Sequence, residues 1–344
     1  MAGGGPCRRP CVRPYACVQL WALSLLLLSL AHSGRILEES PRRPLESGYP
    51  VADPTSCPGD EALLDFVRDN GGYARGFRIE SYNNSDGRRD RRAVATAPQE
   101  HGESVVRVPP NITLSLETMA QRSPALRAVL HAPKEQCPTV LLPEKGLAVL
   151  FILHEALNAT GFWRPFMCSL PSAIDIPLSW TDDELRAALE STKGGLGRFG
   201  SLTEEDKDDI VERVGTQKTL MRQHYDAMLQ YTVGTNPDVF PPHLYTLEAW
   251  RWAWGVVQTR TWGPNEPPGW LRELVSDREM DMTVMVPLVD MFNHKRQMVE
   301  IDETEGIWTV FPGEDVLAGD EILVNYGPDF DDVDLFSTFG FTEG

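Results

Sequence analysis

Apolar residues recur along the chain with two different spacings, which divide the sequence into three blocks. Short apolar runs bounded by polar turns predict strands at 77–79, 93–95 and 104–108 in the first block and at 283–286, 307–311 and 322–325 in the last. Between them, from 116 to about 229, the spacing is that of helices. The order strands, helices, strands predicts the α+β class. The polar segment 83–92 is predicted to be an exposed loop.

Five segments carry helix signals. Helices are predicted at 61–70, 144–156, 181–191, 204–229 and 246–259. The first is stopped by Gly71 and Gly72. The third begins with a capping box, because Glu184 lies three residues after Thr181. Thr246 is predicted to open the last one, since a threonine at this position accepts a hydrogen bond from the first turn.

Composition and charge narrow the class of partner. The 344 residues, 42% of them apolar, are enough for one large or two ordinary domains. The formal net charge of −18 argues against nucleic-acid binding, which needs clustered Lys and Arg, and favours a basic or lysine-bearing protein. The run 313–334 holds eight acidic residues and no Lys or Arg. It either steers a Lys-rich substrate or consists of solvated loop charges.

The first 33 residues have the pattern of a secretory signal peptide. Three arginines precede the apolar run 20–30, and small residues end the segment at Ser33. The run is too short to span a bilayer comfortably, so no stable membrane span is expected and a retained anchor is the weaker alternative. Entry into the secretory pathway or endoplasmic reticulum is therefore predicted. Residues 34–58, rich in Pro and charge, are predicted to be a flexible linker.

Three cysteines lie beyond this leader: Cys57, Cys137 and Cys168. Their odd number and wide spacing fit neither a disulfide framework nor a zinc cluster, so the expectation is one bridge with the third thiol buried. Three N-x-S/T sequons would accept glycans in the same compartment. They begin at Asn83, Asn111 and Asn158.

Two segments near the end of the chain carry the candidate chemistry. In VPLVDMFNH (286–294) an Asn-His pair follows an apolar run. In AGDEILVNYGPDFDDVDLFSTFGF (318–341) an acidic turn precedes an apolar strand that ends in Asn-Tyr-Gly, and Phe-Gly-Phe follows. This order resembles the carboxy-terminal half of SET-domain methyltransferases, in the branch that contains the plant Rubisco large-subunit lysine methyltransferase.

Earlier segments resemble the same family in the same order. They are DRRAVATAPQEHGESVVRVPPNITLS (90–115), GLAVLFILHEALNATGFWRPFMCSLP (146–171) and TLEAWRWAWGVVQTRTW (246–262). The resemblance implies a SET β-fold of short strands split by a helical insert. It divides the chain into an amino-terminal SET segment (59–115), the insert (116–240) and a carboxy-terminal SET segment (241–344).

The resemblance also implies an activity and a reacting residue. Members transfer a methyl group from S-adenosylmethionine to a protein lysine. An in-line displacement of this kind depends on alignment and desolvation of the amine. Tyr326, followed by Gly327, matches the family's reacting-centre tyrosine and is expected to orient the amine. No second His or Cys stands at ligand spacing from His294, so no metal is predicted.

Cofactor contacts are implied at four positions. Arg260 matches the arginine that pairs with the cofactor carboxylate, and Asn293 and His294 match the Asn-His pair that contacts the cofactor through backbone and amide groups. Ala95 ends the segment that matches the family's Gly-x-Gly-apolar-x-Ala. The two glycines of that pattern are replaced by Asp90 and Arg92.

The substrate channel is implied at Trp262, Val289, Val324 and Phe339. Trp262 is aromatic, as in lysine-modifying members, where the actin-histidine-modifying relative has a polar residue, and Val289 is small where that relative has a bulky ring. Val324 is expected to share the cavity of Tyr326, because residues two apart in a strand share a face. Phe339 stands where the family usually has tyrosine. Together these residues predict that lysine receives more than one methyl group.

Two alternatives to a lysine methyltransferase remain. The missing glycines favour a catalytically weak SET-like binding module, and a histidine acceptor would keep the enzyme and change the substrate. Close relatives also carry a carboxy-terminal helical domain beyond this region, so either the insert alone recognises the substrate or the sequence is a fragment. For location, the alternative to the secretory pathway is a plastid, reached through a two-part address in which 34–56 is the transit peptide.

Overall fold

The computed structural model describes residues 50–83, 89–130, 144–190, 202–263, 284–296, 301–327 and 329–343. The predicted signal peptide, most of the predicted linker, Cys137 and the Ser of the first sequon lie outside the described residues. In the described part, no helix is both long and apolar enough to cross a membrane.

The described strands are short and pair into four small sheets. They are β1 (Tyr73–Ala74), β2 (Phe77–Asn83), β3 (Arg89–Ala95), β4 (Val106–Val108), β5 (Thr261–Trp262), β6 (Val284–Met285), β7 (Asn293–His294), β8 (Ile301–Thr304), β9 (Ile307–Val310) and β10 (Leu323–Val324). One sheet has four strands in the order β1-β4-β9-β8, all antiparallel. The pairs β2-β3 and β5-β6 are antiparallel, and β7-β10 is parallel.

The described helices fall mainly between β4 and β5. They are α1 (Asp60–Asp69), α2 (Leu116–Arg122), α3 (Pro124–Leu130), α4 (Glu144–Ala156), α5 (Arg164–Ser169), α6 (Asp182–Glu190), α7 (Glu204–Met228), α8 (Leu247–Arg260) and α9 (Asp332–Phe339). The predicted α+β order is thus confirmed, and the five predicted helices are present with ends shifted by at most one or two residues in the described part.

Local chemistry explains where these helices begin. The Thr181 backbone N–H and hydroxyl both donate to Glu184, and the Glu184 N–H returns to the Thr181 hydroxyl, so the predicted capping box opens α6. Thr203 and Asp206 make the same reciprocal contact at the start of α7. Thr246 accepts from the Ala249 N–H at the start of α8, as predicted.

One hydrophobic core joins the helical block to the strands. Helix α4 is apolar nearly all round and lies inside it, as expected for a helix without a polar face. Trp163 is fully buried, and its indole N–H donates to the Ile112 carbonyl over 2.8 Å. This bond ties the helical block to the segment that follows β4.

The predicted loop at 83–92 is wrong over its described part. Strand β3 begins at Arg89 and pairs with β2 from Asn83↔Arg89 to Phe77↔Ala95. The polar residues that suggested a loop occupy the outer half of the ladder, where Arg92 pairs with Glu80 at 3.2 Å. Ala93 and Ala95 are fully buried at its inner end. Cross-strand charge pairing therefore accommodates a sequence that lacks apolar alternation.

The predicted linker is also packed where it is described. Val51 is only 2% exposed, and Arg164 donates to the Asp53 carbonyl over 2.8 Å. Cys57 forms a disulfide with Cys168 at the end of α5, with Cα atoms 5.4 Å apart. Ordered structure therefore begins by Pro50 rather than near Gly59, because a buried side chain and a covalent bond hold this segment. The expected single bridge joins the first and third of the three candidate cysteines.

Candidate functional site

A cavity of about 80 Å³ lies where α8, β5 and the segment before α9 meet. Four of the candidate residues line it: Arg260, Trp262, Tyr326 and Phe339. Asp290 and Phe330 also contribute to its wall. Arg260 and Phe339, which lie 79 positions apart in the sequence, thus line the same cavity.

The backbone holds these residues in place through short elements. Helix α8 ends at Arg260, and β5 follows directly and pairs with β6, which fixes Trp262 opposite Val284. Asp290 lies in the 3-10 turn Val289–Met291. The preceding Leu288 is fully buried and has φ of 72°, a conformation that costs a non-glycine residue of order 1 kcal/mol or more. The surrounding core holds that turn in place.

Arg260 and Asp290 form a buried ion pair beside the cavity. Arg260 Nη1 donates to Asp290 Oδ2 and to the Asp290 carbonyl, both over 2.9 Å. The Asp290 side chain is 0% exposed, and that of Arg260 is 21% exposed. Burial raises the pKa of Asp290, and the charges of Arg260 and Arg91 oppose that rise. We take Asp290 as the anion, because its Oδ2 accepts a hydrogen bond from a permanently charged guanidinium.

This pair is not fully satisfied. Arg260 Nε and Asp290 Oδ1 are buried and have no hydrogen-bond partner among the described residues, and the same holds for Trp262 Nε1. Buried polar groups without partners are uncommon, and each calls for an explanation. Three such atoms belong to residues of one cavity wall, which makes this cavity the candidate ligand site.

Tyr326 lies at the centre of an aromatic cluster. Its ring centroid is 4.9 Å from Phe339, 5.0 Å from His294 and 6.0 Å from Trp262, the last in an edge-on arrangement. The Tyr326 hydroxyl donates to the Phe292 carbonyl over 3.1 Å. This bond uses the hydroxyl hydrogen, so toward a further partner the oxygen acts as an acceptor.

His294 holds the backbone of Tyr326. The Tyr326 N–H donates to His294 Nδ1 over 3.0 Å. Nδ1 must therefore be unprotonated, and the neutral ring carries its hydrogen on Nε2. Burial lowers the pKa of His294, which favours this neutral form, and the nearby Glu343 carboxylate opposes the shift.

At two candidate cofactor positions, the side-chain nitrogen of Asn293 and the backbone of Ala95 are engaged within the protein. The Asn293 amide nitrogen donates to the Arg91 carbonyl at 3.0 Å and to Glu321 at 2.7 Å. The Ala95 N–H donates to the Asp320 carbonyl, and its own carbonyl accepts from Gly319. Neither group lines the cavity, so for these two positions the structure shows structural contacts.

Val289 and Val324 are not brought to the cavity wall. Both are fully buried in the core. The role of Val324 stays a prediction, but β10 ends at Val324, so Tyr326 lies beyond the strand and the two-residue alternation does not reach it. Val289 lies in a 3-10 turn, where its neighbour Asp290 takes the position beside Arg260.

Sequence reasoning missed Phe330 and the helix α9 that ends at Phe339. The signal was present, since Asp331 and Asp334 form a capping box at the start of α9. In the sequence, both aspartates also belong to the acidic run 313–334, which hides this helix start. Among the described residues, no group of three His, Cys, Asp or Glu side chains is placed to hold a metal ion.

The chain is similar both to curated proteins and to solved structures. No family model matches the chain. Among curated proteins, the chain is similar to the actin-histidine N-methyltransferases of Papio anubis and Homo sapiens, each 26% identical over 276 residues. The similar region covers 77% of this chain and 39% of each relative. The chain therefore spans less than half the length of the curated relatives it matches.

Among solved structures, the chain is similar to Rubisco LSMT bound to AdoMet, with a TM-score of 0.59 and 17% identity over 83% of this chain and 57% of that chain. The structure of Rubisco LSMT with sinefungin and monomethyllysine gives a TM-score of 0.58 and 17% identity over 83% of this chain and 56% of that one. A third neighbour is the SET domain of LSMT bound to lysine and AdoHcy, with a TM-score of 0.57 and 16% identity. The predicted SET fold is thereby confirmed.

Proposed function

Because the chain has the SET-domain fold and resembles the Rubisco LSMT branch, we propose that it is an S-adenosylmethionine-dependent protein methyltransferase whose acceptor is lysine. The observation that carries this proposal is the placement of Tyr326. Its hydroxyl is fixed by the Phe292 carbonyl inside an aromatic cluster, in the same cavity wall as the Arg260 guanidinium.

The residues present fit the cofactor in part. S-adenosylmethionine supplies an electrophilic methyl group on a sulfonium centre when it is bound. Arg260 would hold its carboxylate, because the guanidinium borders the cavity and its Nε has no partner in the described part of the chain. The side-chain nitrogen of Asn293 and the backbone groups of Ala95 are less suited to hold it, since they already have partners.

Residues of the cavity wall would keep the acceptor amine neutral and orient it. Aromatic rings of Trp262, Tyr326 and Phe339 line the cavity, and an apolar wall favours the neutral amine over the ammonium. The Tyr326 oxygen accepts a hydrogen bond from one N–H of that amine. This bond directs the lone pair of the amine nitrogen toward the methyl group. Tyr326 thereby orients the nucleophile and need not remove a proton.

Two observations bear on lysine against histidine as acceptor. Trp262 provides an aromatic wall that suits a lysine chain, and the unpartnered Trp262 N–H is also a donor that a histidine ring nitrogen would accept. The curated relatives are named for histidine methylation of actin, which makes histidine the second candidate. The net charge of −18 supports a basic, lysine-bearing partner, and this favours lysine.

A labelled-methyl assay tests the proposal and separates the two acceptors. The full chain is incubated with methyl-tritiated S-adenosylmethionine and a cell extract, and the labelled protein is hydrolysed to amino acids. We expect labelled methyl-lysine that is absent when Tyr326→Phe protein is used. Labelled methyl-histidine would replace the lysine assignment. Absence of any label, together with no calorimetric binding of S-adenosylmethionine, would overturn the enzyme and leave the binding module.

We also propose that the chain works in the secretory pathway. The leader pattern motivates this, and the Cys57–Cys168 disulfide supports it because such bonds persist in oxidising compartments. The sequon residue Asn111 is exposed, so its side chain has room for a glycan. A mass loss on treatment with peptide N-glycosidase F, with the mature chain starting near residue 34, is the expected result. An unglycosylated chain recovered from plastids would favour the two-part address instead.

A further inference from the structure

The residues 340–343 are fastened to the loop after β7 by a cluster of three charged residues. Glu343 Oε2 lies 3.2 Å from Arg296 Nε, and Glu343 Oε1 accepts from the Arg296 backbone N–H. Arg296 Nη2 reaches Asp332 Oδ1 at 3.1 Å, and the Glu343 N–H donates to the same Asp332 oxygen over 3.3 Å. We call Glu343, Arg296 and Asp332 the clasp.

The clasp holds the aromatic residues Phe339 and Phe341 beside the candidate reacting centre, Tyr326. Phe341 lies between Gly340 and the clasp, and its ring is 5.9 Å from His294 and 6.5 Å from Tyr326. Phe339 is 5.9 Å from Phe341 and 4.9 Å from Tyr326. Holding Glu343 in place therefore holds both phenylalanines against the rings that flank the cavity.

The clasp also faces His294 directly. Glu343 Oε1 lies 3.3 Å from His294 Nε2, whose side chain is 1% exposed. The N–H is not aimed at that oxygen, since Nε2 lacks a hydrogen bond, so the contact is electrostatic. A carboxylate beside Nε2 stabilises the ring hydrogen on that nitrogen. It leaves Nδ1 free to accept the Tyr326 N–H.

We propose that Glu343 is a positioning residue for methyl transfer: through His294 and Phe341 it fixes the backbone and ring of Tyr326. Two paths converge on Tyr326. One runs from Glu343 to His294 Nε2 and from Nδ1 to the Tyr326 N–H. The other runs through the ring contacts of Phe341. Glu343 itself is not among the residues that line the cavity.

This inference rests on the proposed function only in that Tyr326 is taken as the reacting residue. The placement of His294 and Tyr326 by Glu343 is a property of the folded chain alone. An experiment on the ring of His294 therefore tests it even if no methyl transfer is found.

The test compares Glu343→Ala and Glu343→Gln with Glu314→Gln in the full chain. Glu314 is a matched control, because it pairs with the adjacent Lys295 at 3.9 Å on the surface and makes no contact with His294. Each protein is measured for kcat, for KM of S-adenosylmethionine and, by nitrogen-15 NMR of the imidazoles, for the tautomer of His294. Far-ultraviolet circular dichroism reports folding.

For Glu343→Ala we expect kcat to fall about 10- to 100-fold, the size of loss caused by small misplacement of a reacting group. The His294 signals should move from one tautomer to a mixture. Glu343→Gln keeps the acceptor for the Arg296 N–H without the charge, so it should restore folding if the alanine variant is unstable, and should still shift the tautomer. Glu314→Gln should match the parent protein.

The outcomes separate the two proposals. Wild-type kcat with unchanged His294 signals in both Glu343 variants would overturn the positioning role. A parent protein without any methyl transfer but with a His294 tautomer that shifts in the variants would keep the positioning role and discard the proposed function. A loss of kcat with an unchanged tautomer would also contradict the inference, since Glu343 would then not act through His294.

Discussion

The hydroxyl of Tyr326 donates its hydrogen to the carbonyl oxygen of Phe292 over 3.1 Å. This bond fixes the rotation of the O–H and turns the oxygen lone pairs away from Phe292. A tyrosine held in this way acts as an acceptor for a substrate N–H and is not poised to donate. The arrangement favours an orienting role over general acid chemistry.

Removal of this hydroxyl gives the first prediction. Tyr326→Phe should fold normally, because the ring contacts with Phe339 and Trp262 remain when the hydrogen bond to the Phe292 carbonyl is lost. Methyl transfer should fall by at least about 100-fold, within the range for loss of a positioned catalytic group, while calorimetry should find S-adenosylmethionine affinity unchanged. Tyr73→Phe is the control, since its hydroxyl bonds Ser104 outside the cavity. Near-full turnover in Tyr326→Phe would refute the assignment.

The ion pair of Arg260 and Asp290 gives the second prediction. Arg260→Ala should lower cofactor affinity by about 1.5–3 kcal/mol, the range for a hydrogen bond to a charged group. It should also destabilise the fold by about 3–5 kcal/mol, because Asp290 is 0% exposed and would be left without its partner. The two effects can be separated.

The double variant Arg260→Ala with Asp290→Asn removes both charges. Its free energy of unfolding should recover toward that of the parent, since no unpaired buried charge remains. Its affinity for S-adenosylmethionine should stay low. Denaturant titration and calorimetry measure the two quantities, and recovery of affinity in the double variant would show that Arg260 does not hold the cofactor.

The pattern of the sequence predicted the helices well and the cavity only in part. Helix α4 and the capped starts at Thr181 and Thr246 follow from local spacing and local hydrogen bonds, which sequence records directly. The inner end of strand β3 was predicted at 93–95, and its outer half was read as a loop because the residues there are charged and pair across the ladder with β2. The pairing with β2 depends on the tertiary structure, so local sequence does not reveal it.

The roles of the site residues stay predictions, but their placement can be compared with the sequence. Tyr326 and Arg260 lie in the cavity wall. Val324 does not, since the strand rule that placed it assumes a strand longer than the two residues of β10. The partner of Cys57 lies 111 residues away, and no local pattern chooses between two candidates at such a distance.

Burial of Glu155 gives the third prediction, on stability. Glu155 is 4% exposed, and burial raises the pKa of its carboxyl to about 7, while the charge of Arg122 opposes this. Between the ordinary value of 4.5 and about 7, the folded state binds more protons than the unfolded state. The free energy of unfolding therefore falls as pH rises through this window, by up to about 3 kcal/mol.

Glu155→Gln should remove this dependence. The variant should be more stable than the parent at pH 8 and similar to it near pH 4.5, because the amide mimics the protonated carboxyl. Glu190→Gln at the exposed end of α6 is the control. Urea denaturation at several pH values measures the effect, and equal pH profiles for the parent and Glu155→Gln would contradict it.

The disulfide gives the fourth prediction. Cys57→Ser and Cys168→Ser should each lower the free energy of unfolding by about 2–4 kcal/mol, because the bond closes a loop of 111 residues in the unfolded chain. The double variant should be no less stable than either single one, since all three lose the same bond. Peptide mapping under non-reducing conditions should join the two cysteines, and a bond to Cys137 instead would contradict the pairing.

The number of methyl groups added is decided by the room around the amine, and Phe339 is the residue to change. It lines the cavity, its ring is 4.9 Å from Tyr326, and it brings no hydroxyl to a position where the family usually has one. A phenol there would anchor water or the amine itself and restrict the rotation that a second transfer needs. The parent protein should therefore form di- or trimethyl-lysine.

Phe339→Tyr should shift the product toward monomethyl-lysine, and Phe311→Tyr, outside this cavity wall, should not. A time course on a peptide substrate read by mass decides the matter: a parent product that stays monomethylated after fresh enzyme and cofactor are added would show that the aromatic wall already blocks the second transfer.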